Sequence, residues 1–405
     1  MEVFMNYSKE EVMQYVAEED VKFIRLAFCD VFGKQKNISI MPSELSRAFE
    51  YGIAFDASAI PGFGDETHSD LFLHPEPDTL VPLPWRPEHG RVVRMFCDIT
   101  YPDGRPFECD TRSLLKRAVN DAAAEGLTFY FGAEQEFYLF ELDENGEKTD
   151  RPYDKAGYMD IAPSDKGENI RREICLTLEQ MGIQPESSHH EEGPGQNEID
   201  FRYSGALNAA DNACTFQTVV RTLARRNGLF ADFSPKPVIN APGNGFHVNL
   251  SVRPFDDETF RGMIAGILKR IGEMTAFLNP TEDSYLRLGK NKAPGYISWS
   301  HENRSQLIRV PAAVGEYRRA ELRSPDPSTN PYLAFALIVY AGLEGIKTDA
   351  VLPEPEDINL FRADKTMLES FGKLPQTVTE ARKAAFESDF IKKHLPKDII
   401  DIYCR

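Results

Sequence analysis

Residues 127–141 read LTFYFGAEQEFYLFE. The length of this stretch and its many aromatic residues predict a strand. Within it, Glu134 and Glu136 stand two residues apart, so a strand places both carboxylates on one face. Two like charges side by side repel each other unless a cation or an arginine lies between them. The stretch therefore predicts a cation site; the alternative is a solvated strand face.

A second acidic motif, SSHHEEGPGQNE at residues 187–198, joins two histidines and three glutamates to a Gly-Pro-Gly turn. The turn is expected to fold Glu191 back towards Glu198. Magnesium and manganese ions prefer oxygen ligands, and such a turn can present two of them. The alternative interpretation is an acidic surface loop.

A third motif, GNGFHVNLS at residues 243–251, places flexible glycines before a strand. Its alternate residues His247, Asn249 and Ser251 share one face. A polar face of this kind can hold a metal ion or a phosphate. The motif is neither a Walker A loop nor a dinucleotide fingerprint.

A group of arginines follows in the same acidic chain: Arg287, Arg304, Arg309, Arg318, Arg319 and Arg323. Guanidinium groups bind carboxylate and phosphate oxygens in a bidentate way. The alternative is that they are surface arginines paired with the acidic excess. Together, the acidic motifs, the polar strand and the arginines predict metal-assisted phosphoryl transfer, in which cations bridge phosphate oxygens and arginines neutralise developing charge.

The composition of the 405-residue chain excludes several classes of function. With 64 acidic and 46 basic residues the formal net charge is −18, the opposite of what nucleic-acid binding needs. No run of apolar residues is long enough for a membrane helix. The first residues lack the pattern of a secretory signal, and the six cysteines form no CxxC pair. We therefore expect a cytoplasmic protein with reduced thiols and without nucleic-acid or membrane partners.

Helix and strand patterns occur along the whole chain and predict an α+β fold. We predict helices at residues 9–19, 42–52, 111–125, 256–278 and 332–346. We predict strands at residues 21–29, 92–99, 127–141, 197–202, 245–252, 296–299, 306–311 and 318–323. A turn-rich stretch at 98–106 marks a boundary, and we place the domains at residues 1–103 and 104–405.

Several ordered blocks of the sequence resemble the glutamine synthetase family, type I. They are residues 134–137 (EQEF), 190–198 (HEEGPGQNE), 236–237 (KP) with 243–247 (GNGFH), 284–288 (SYLRL), 303–305 (NRS) and 321–332 (ELRSPDPSTNPY), with 30–34 (DVFGK) and 55–58 (FDAS) nearer the start. The resemblance implies an N-terminal β-grasp domain and a C-terminal catalytic domain with an antiparallel half-barrel sheet and helices. It also implies ATP, two or more magnesium or manganese ions per site, and a homo-oligomeric ring with active sites between subunits.

The resemblance further implies roles for individual residues. The implied ligands of one ion are Glu136, Glu191 and Glu198, and those of a second ion are Glu134, His247 and Glu321. Arg287 is implied to hold the amino-acid carboxylate in a pocket lined by Gly243, and the implied phosphate-binding arginines are Arg304, Arg309 and Arg323. The implied nucleotide-binding residues are Tyr203, Asn249 and Ser251. Asp56, donated by the adjacent subunit, is implied to take a proton from ammonium.

The implied reaction is ATP-dependent formation of γ-glutamyl phosphate and then of an amide with ammonia. Two residues depart from the family pattern: Lys292 replaces a glutamate before Ala-Pro, and Pro242 replaces a frequent asparagine. A cation at position 292 should repel ammonium. The alternatives are therefore a γ-glutamyl ligase for an organic amine (a polyamine or alkylamine) and a catalytically silent regulatory ring protein. A complete set of acidic ligands argues against the silent protein.

Overall fold

The computed structural model describes residues 7–86, 89–313 and 315–405. By their contacts, the described residues divide into two compact units. The first unit extends to Leu114 and includes Leu176–Ile183; the second comprises Leu115–Cys175 and Gln184–Arg405. These units are discontinuous in sequence, and the domain boundary between residues 103 and 104 stays a prediction.

The first unit is built on a mixed sheet. Its described residues include six strands, β1 (Val21–Cys29), β2 (Gln35–Ile40), β3 (Ile53–Asp56), β4 (Asp70–Pro75), β5 (Val81–Pro82) and β6 (Arg91–Thr100), and the helices α1 (Lys9–Glu18) and α2 (Leu45–Tyr51). Five of the strands lie side by side in the order β2-β1-β6-β4-β3, and β5 pairs with β6. Strands β1 and β6 are parallel, whereas β1 pairs with β2 and β4 pairs with β6 in antiparallel register. This arrangement confirms the β-grasp fold predicted for the N-terminal part.

The second unit is built on a larger sheet, with ten strands among its described residues. The strands are β7 (Thr128–Leu142), β8 (Lys148–Pro152), β9 (Pro185–His190), β10 (Gln196–Phe201), β11 (Ser204–Gly205), β12 (Leu229–Asp232), β13 (Phe246–Arg253), β15 (Trp299–His301), β16 (Ile308–Val310) and β17 (Ala320–Leu322). Seven of them lie side by side in the order β15-β16-β17-β13-β7-β10-β9, and β8, β11 and β12 also pair with β7. Strands β14 (Tyr296–Ile297) and β18 (Gly372–Lys373) form a separate pair. The predicted half-barrel with helices, and with it the α+β class, is confirmed.

The remaining helices are interspersed with the strands along the chain. They are α3 (Thr111–Ala124), α4 (Glu168–Gln180), α5 (Ala206–Arg226), α6 (Asp257–Leu278), α7 (Glu282–Arg287), α8 (Pro331–Lys347), α9 (Lys365–Leu368), α10 (Val378–Glu387), α11 (Asp389–His394) and α12 (Lys397–Cys404). Short 3-10 helices lie at Pro42–Glu44, Glu66–His68, Pro77–Thr79 and Gly315–Tyr317. Among the helices that the structure describes, none is long and apolar enough to cross a membrane.

Strand β7 is the centre of the larger sheet, because five other strands pair with it. One of its faces packs against α8. The ring of Phe335 on α8 lies 4.5 Å from that of Phe131 and 6.0 Å from that of Phe246, centroid to centroid. Because side chains alternate along a strand, the glutamates at even positions of β7 point to the opposite face. The apolar core therefore lies behind the sheet and leaves a polar face on the other side.

Capping signals place the helix ends close to their predicted positions. Ser8 accepts a hydrogen bond from the Glu11 N–H, and the Glu11 carboxylate accepts one from the Ser8 N–H. Asn330 caps α8 by accepting from the Tyr332 N–H. The prediction of one strand at residues 296–299 is wrong, because this stretch divides between β14 and β15, which belong to different sheets.

Candidate active site

The candidate site lies on the face of the larger sheet that is opposite α8. Strand register sets its side chains side by side: Glu134 of β7 pairs with His247 of β13, and Glu136 pairs with Glu198 of β10. A shift of one residue would turn each of these side chains to the core face. The alternation of hydrophobic residues that sets the strand register therefore also determines which acidic side chains lie together.

The first group in the cluster is centred on His247. Its Nδ1 atom lies 3.4 Å from Glu134 Oε2 and 3.8 Å from Glu321 Oε1. The Asn249 side chain donates to Glu134 Oε1 at 2.5 Å and accepts from Arg319 Nε at 2.9 Å. The structure thus brings together the three residues predicted to hold one ion.

Glu136 and Glu198 are the most deeply placed acids of the second group, with exposed fractions of 9% and 8%. Glu136 Oε2 accepts from the Gly245 N–H at 2.8 Å and from Gln196 Nε2 at 3.0 Å. Burial raises the pKa of Glu136. Burial and the neighbouring carboxylates, with Asp200 first among them, raise the pKa of Glu198 well above its ordinary value. Buried acids of this kind gain from a cation that neutralises them.

Glu191 is the third acid of this group. It lies beside His189, which was not among the predicted site residues. His189 Nε2 lies 2.8 Å from Glu191 Oε1 and 3.8 Å from Glu198 Oε1. Although burial acts to raise it, the hydrogen bond from His189 lowers the pKa of Glu191. The signal for His189 was present in the quoted motif, since it stands two residues before Glu191.

The Gly-Pro-Gly turn that carries Glu191 is confirmed, and it needs its glycines. A Cβ atom on Gly193 would lie 1.9 Å from the hydroxyl oxygen of Tyr138. Gly195 has a φ of 70°, in the left-handed region that side chains disfavour. The turn brings the Glu191 N–H to 2.8 Å from the Gln196 carbonyl oxygen.

The predicted phosphate-binding arginines surround Glu321. Arg309 Nη1 donates to Glu321 Oε2 at 2.7 Å, and Arg323 Nε donates to Oε1 at 3.0 Å. Burial alone would raise the pKa of Glu321, but Arg323, His247 and Arg309 lower it to about 2. Arg304 is exposed, and its carbonyl oxygen accepts from the Arg323 guanidinium.

Arg287 and Gly243 form a buried corner. Arg287 is 3% exposed, and its guanidinium donates to the carbonyl oxygens of Ser324 at 2.7 Å and Arg323 at 3.2 Å. A Cβ atom on Gly243 would lie 2.4 Å from the Pro235 carbonyl oxygen and 2.9 Å from Arg287 Cγ. Glycine at position 243 is therefore required for the close approach of Arg287.

The predicted nucleotide-binding residues meet near the start of β7. A Cβ atom on Gly132 would lie 3.4 Å from Tyr203 Cβ and 3.6 Å from Asn249 Cβ. Ser251 pairs in register with Tyr130, and the Tyr130 ring meets that of Tyr203 edge-on at 6.1 Å. The side chains of Tyr203, Asn249 and Ser251 thus lie near the same end of β7.

Asp56 belongs to the first unit, whereas the other predicted site residues belong to the second. It ends β3 and is exposed. Its Oδ1 atom accepts from the Ser58 N–H at 2.9 Å and the Ser58 hydroxyl at 2.7 Å. These bonds, that of the hydroxyl first, lower the pKa of Asp56.

Lys292, the main departure from the family pattern, is paired with an acid. Its ammonium forms an ion pair with Glu192 and lies 5.8 Å from the centre of the Tyr158 ring. Its carbonyl oxygen accepts from Arg323 Nη1 at 3.3 Å. At Pro242, the second departure, the carbonyl oxygen accepts a hydrogen bond of 2.7 Å from the Tyr138 hydroxyl.

The side chains fit divalent cations. Two groups bring their ligand atoms within 4.8 Å of one another: Glu134, Glu198 and His247, and His189, Glu191 and Glu198. Carboxylate oxygens, which form most of both groups, suit magnesium and manganese, whereas imidazole nitrogens suit zinc, copper and iron. Glu198 belongs to both groups, so the two groups are adjacent.

Two family models match the chain. The model described as the β-grasp domain of glutamine synthetase matches residues 20–102, and the model of its catalytic domain matches residues 108–405. The glutamine synthetase of Clostridium saccharobutylicum is 46% identical over 98% of this chain and 93% of its own length. That of Staphylococcus aureus strain Mu50 is 44% identical over 97% of this chain and 92% of its own length.

Solved structures agree with this relationship. GmaS in complex with ADP superposes with a TM-score of 0.88 at 27% identity, covering 97% of this chain and 94% of that chain. GmaS without ligand gives a TM-score of 0.86 at 28% identity, covering 97% and 93%. The matched domains and relatives span almost the whole sequence, and the chain belongs to the glutamine synthetase family.

Proposed function

We propose that this protein synthesises glutamine from glutamate and ammonia at the expense of ATP. One observation carries the proposal: buried acids and arginines converge on one sheet face in a chain that is 44–46% identical to glutamine synthetases over nearly its full length. The identity to GmaS, γ-glutamylmethylamide synthetase, is lower at 27–28%.

The reaction needs two steps because a carboxylate is a poor acyl donor. Its leaving group would be oxide. Transfer of the γ-phosphoryl group of ATP to the side-chain carboxylate of glutamate gives γ-glutamyl phosphate and ADP. Ammonia then attacks the acyl carbon, phosphate leaves, and the nitrogen loses a proton to give glutamine.

The acidic cluster is proposed to hold two or more magnesium or manganese ions. The proposed ligands are Glu134, Glu136, Glu191, Glu198, His247 and Glu321. When bound, such ions neutralise and orient phosphate oxygens during the transfer. The raised pKa values of Glu136 and Glu198, whose largest cause is burial, support this assignment, because a bound cation would offset the cost of burying both carboxylates.

The arginines are proposed to bind the two anionic ends of the substrates. Arg287 is buried and held by two carbonyl oxygens, so its guanidinium is already positioned for the amino-acid carboxylate. Arg309 and Arg323, together with exposed Arg304, are proposed to neutralise the transferred phosphate. Tyr203, Asn249 and Ser251 are proposed to contact the nucleotide.

Asp56 is proposed to take the proton that ammonium loses before it attacks. Its carboxylate, like that of an ordinary aspartate, is ionised near neutral pH, as a proton acceptor must be. We propose that Asp56 reaches the site from the adjacent subunit of a homo-oligomeric ring.

The experiment is to measure phosphate release from ATP with glutamate and Mg²⁺ or Mn²⁺, with and without ammonium, beside a panel of organic amines. We expect release that depends on ammonium, with glutamine as the product. Release with an organic amine alone would overturn the proposal and make Lys292 and Pro242 specificity determinants. The absence of phosphate release with ammonium and with every organic amine would also overturn the proposal.

A further inference from the structure

One buried carboxylate holds both ends of the turn that carries Glu191. Asp154 Oδ1 lies 2.9 Å from His190 Nε2 and accepts from the Gly195 N–H at 3.0 Å. Its other oxygen accepts from the Lys166 N–H at 3.1 Å. Asp154 is 5% exposed and His190 is fully buried. One side chain therefore contacts both the residue before the turn at 191–195 and its last residue.

The His190 ring carries this connection into the main chain of Glu191. Its Nδ1 atom lies 2.6 Å from the Glu191 carbonyl oxygen, while Nε2 faces Asp154. The Glu191 carbonyl oxygen can only accept a hydrogen bond, so Nδ1 donates to it. The ring thus links the Asp154 carboxylate to the peptide group of a proposed metal ligand.

A second chain of contacts fixes the other side of the turn. Asn197 Nδ2 donates to the Gly195 carbonyl oxygen at 2.9 Å, and Asn197 Oδ1 accepts from Arg171 Nη1 at 2.6 Å. Arg171 in turn pairs with the buried Asp165 at 2.5 Å. Gly195 is therefore held at both its N–H and its carbonyl group, immediately before the strand that carries Glu198.

These aspartates and His190 also bring ligand atoms within 4.8 Å of one another. Their oxygens, however, are occupied by donors of the protein: Asp154 by His190 and Gly195, and Asp165 by Arg171 and the Gly167 N–H at 2.8 Å. The group is consequently a hydrogen-bonded support for the hairpin.

We propose that Asp154 is a positioning residue for the metal ligands, which holds the hairpin so that Glu191 and Glu198 converge. The inference rests on the proposed function, because it gives Asp154 a part in the same site. Partners that orient metal ligands from behind typically change metal affinity by about 10- to 100-fold when they are mutated.

The experiment titrates Mn²⁺ alone into the full-length protein by calorimetry, comparing wild type with Asp154→Ala and Asp154→Asn. We expect Asp154→Ala to weaken Mn²⁺ binding by about 10- to 100-fold. Asp154→Asn keeps an acceptor oxygen for the Gly195 N–H, so its effect should be smaller. At saturating Mn²⁺, kcat of both variants should return close to that of wild type.

Asp211→Asn is the matched control. Asp211 is also a buried aspartate, but it accepts from the Tyr332 hydroxyl at 2.7 Å, on α8 and not on the hairpin. Mn²⁺ affinity in both Asp154 variants equal to that of the control would overturn the inference. If wild type showed no ammonium-dependent phosphate release, the proposed function would fail; active wild type with unchanged Mn²⁺ affinity in the Asp154 variants would refute the positioning alone.

Discussion

Two acids on the same sheet face have opposite electrostatic surroundings. Glu321 is held by the guanidinium groups of Arg309 and Arg323, and its pKa falls to about 2. Glu198 is also buried, but burial and nearby carboxylates, Asp200 first, raise its pKa. The charge of Glu321 is thus offset by two arginines of the protein, whereas Glu198 lies among other carboxylates. This contrast supports the proposed cation site around Glu198 and the proposed phosphate-binding role of Arg309 and Arg323.

The largest expected effect comes from removing an acid of the proposed cation site. Glu136→Ala should lower kcat/KM for glutamine formation by at least about 1,000-fold, because about 4 kcal/mol of transition-state stabilisation would be lost with the cation site. Circular dichroism should show an unchanged fold. Glu141→Ala, on the same strand but in an ion pair with Arg151, serves as control and should keep near-wild-type activity. Equal activity of the two variants would refute the site assignment.

The next effect concerns Glu321, the acid beside the two arginines. Glu321→Gln should lower the free energy of unfolding of the metal-free protein by about 3 kcal/mol, since it leaves Arg309 and Arg323 without their shared carboxylate. Denaturant titration measures the change. A stability equal to that of wild type would mean that Glu321 is not balanced by the arginines.

A smaller effect of opposite sign should follow at Glu198. Glu198→Gln removes a carboxylate whose charged form is disfavoured by burial and by its neighbours, so the metal-free protein should become more stable at pH values above the raised pKa of Glu198. The same substitution should reduce the stabilisation that Mn²⁺ adds to wild type. Thermal unfolding with and without Mn²⁺ tests both statements. If the metal-free Glu198→Gln protein were less stable than wild type, as is expected for Glu321→Gln, the proposed difference between the two acids would be refuted.

The smallest effect is expected at Glu192, an acid that pairs with the exposed Lys292. The side chains of Lys292 and Glu192 are 56% and 35% exposed, so their coupling free energy should be about 0.2–1 kcal/mol. A double-mutant cycle with Lys292→Met and Glu192→Gln measures it, and Lys290→Met on the same loop is the control. A coupling as large as that at Glu321 would show that solvent does not screen this pair.

Much of the site could be predicted because it depends on local spacing. The i, i+2 glutamates of β7 and the alternation of His247 and Asn249 require only the period of a strand. The Gly193-Pro194-Gly195 turn was likewise readable from local sequence. The order of the strands and the pairing of Glu136 with Glu198 came only with the structure.

Long-range contacts could not be predicted from local patterns. His190 and Asp154 are 36 residues apart, and Lys292 and Glu192 are 100 apart, so no local period connects them. Helix α5 also lacked a signal at its start, because Gly205 precedes it without a side-chain cap. The long helix was consequently missed, although twelve of its residues are buried in the core.

An equilibrium titration of Mn²⁺ into wild type, Glu136→Gln and Glu141→Gln tests most directly whether the buried acids form a cation site. We expect wild type and Glu141→Gln to bind the same number of ions, at least two per chain, and Glu136→Gln to lose at least one of them. Equal numbers and affinities in all three proteins would contradict the claim that the buried acids form the cation site.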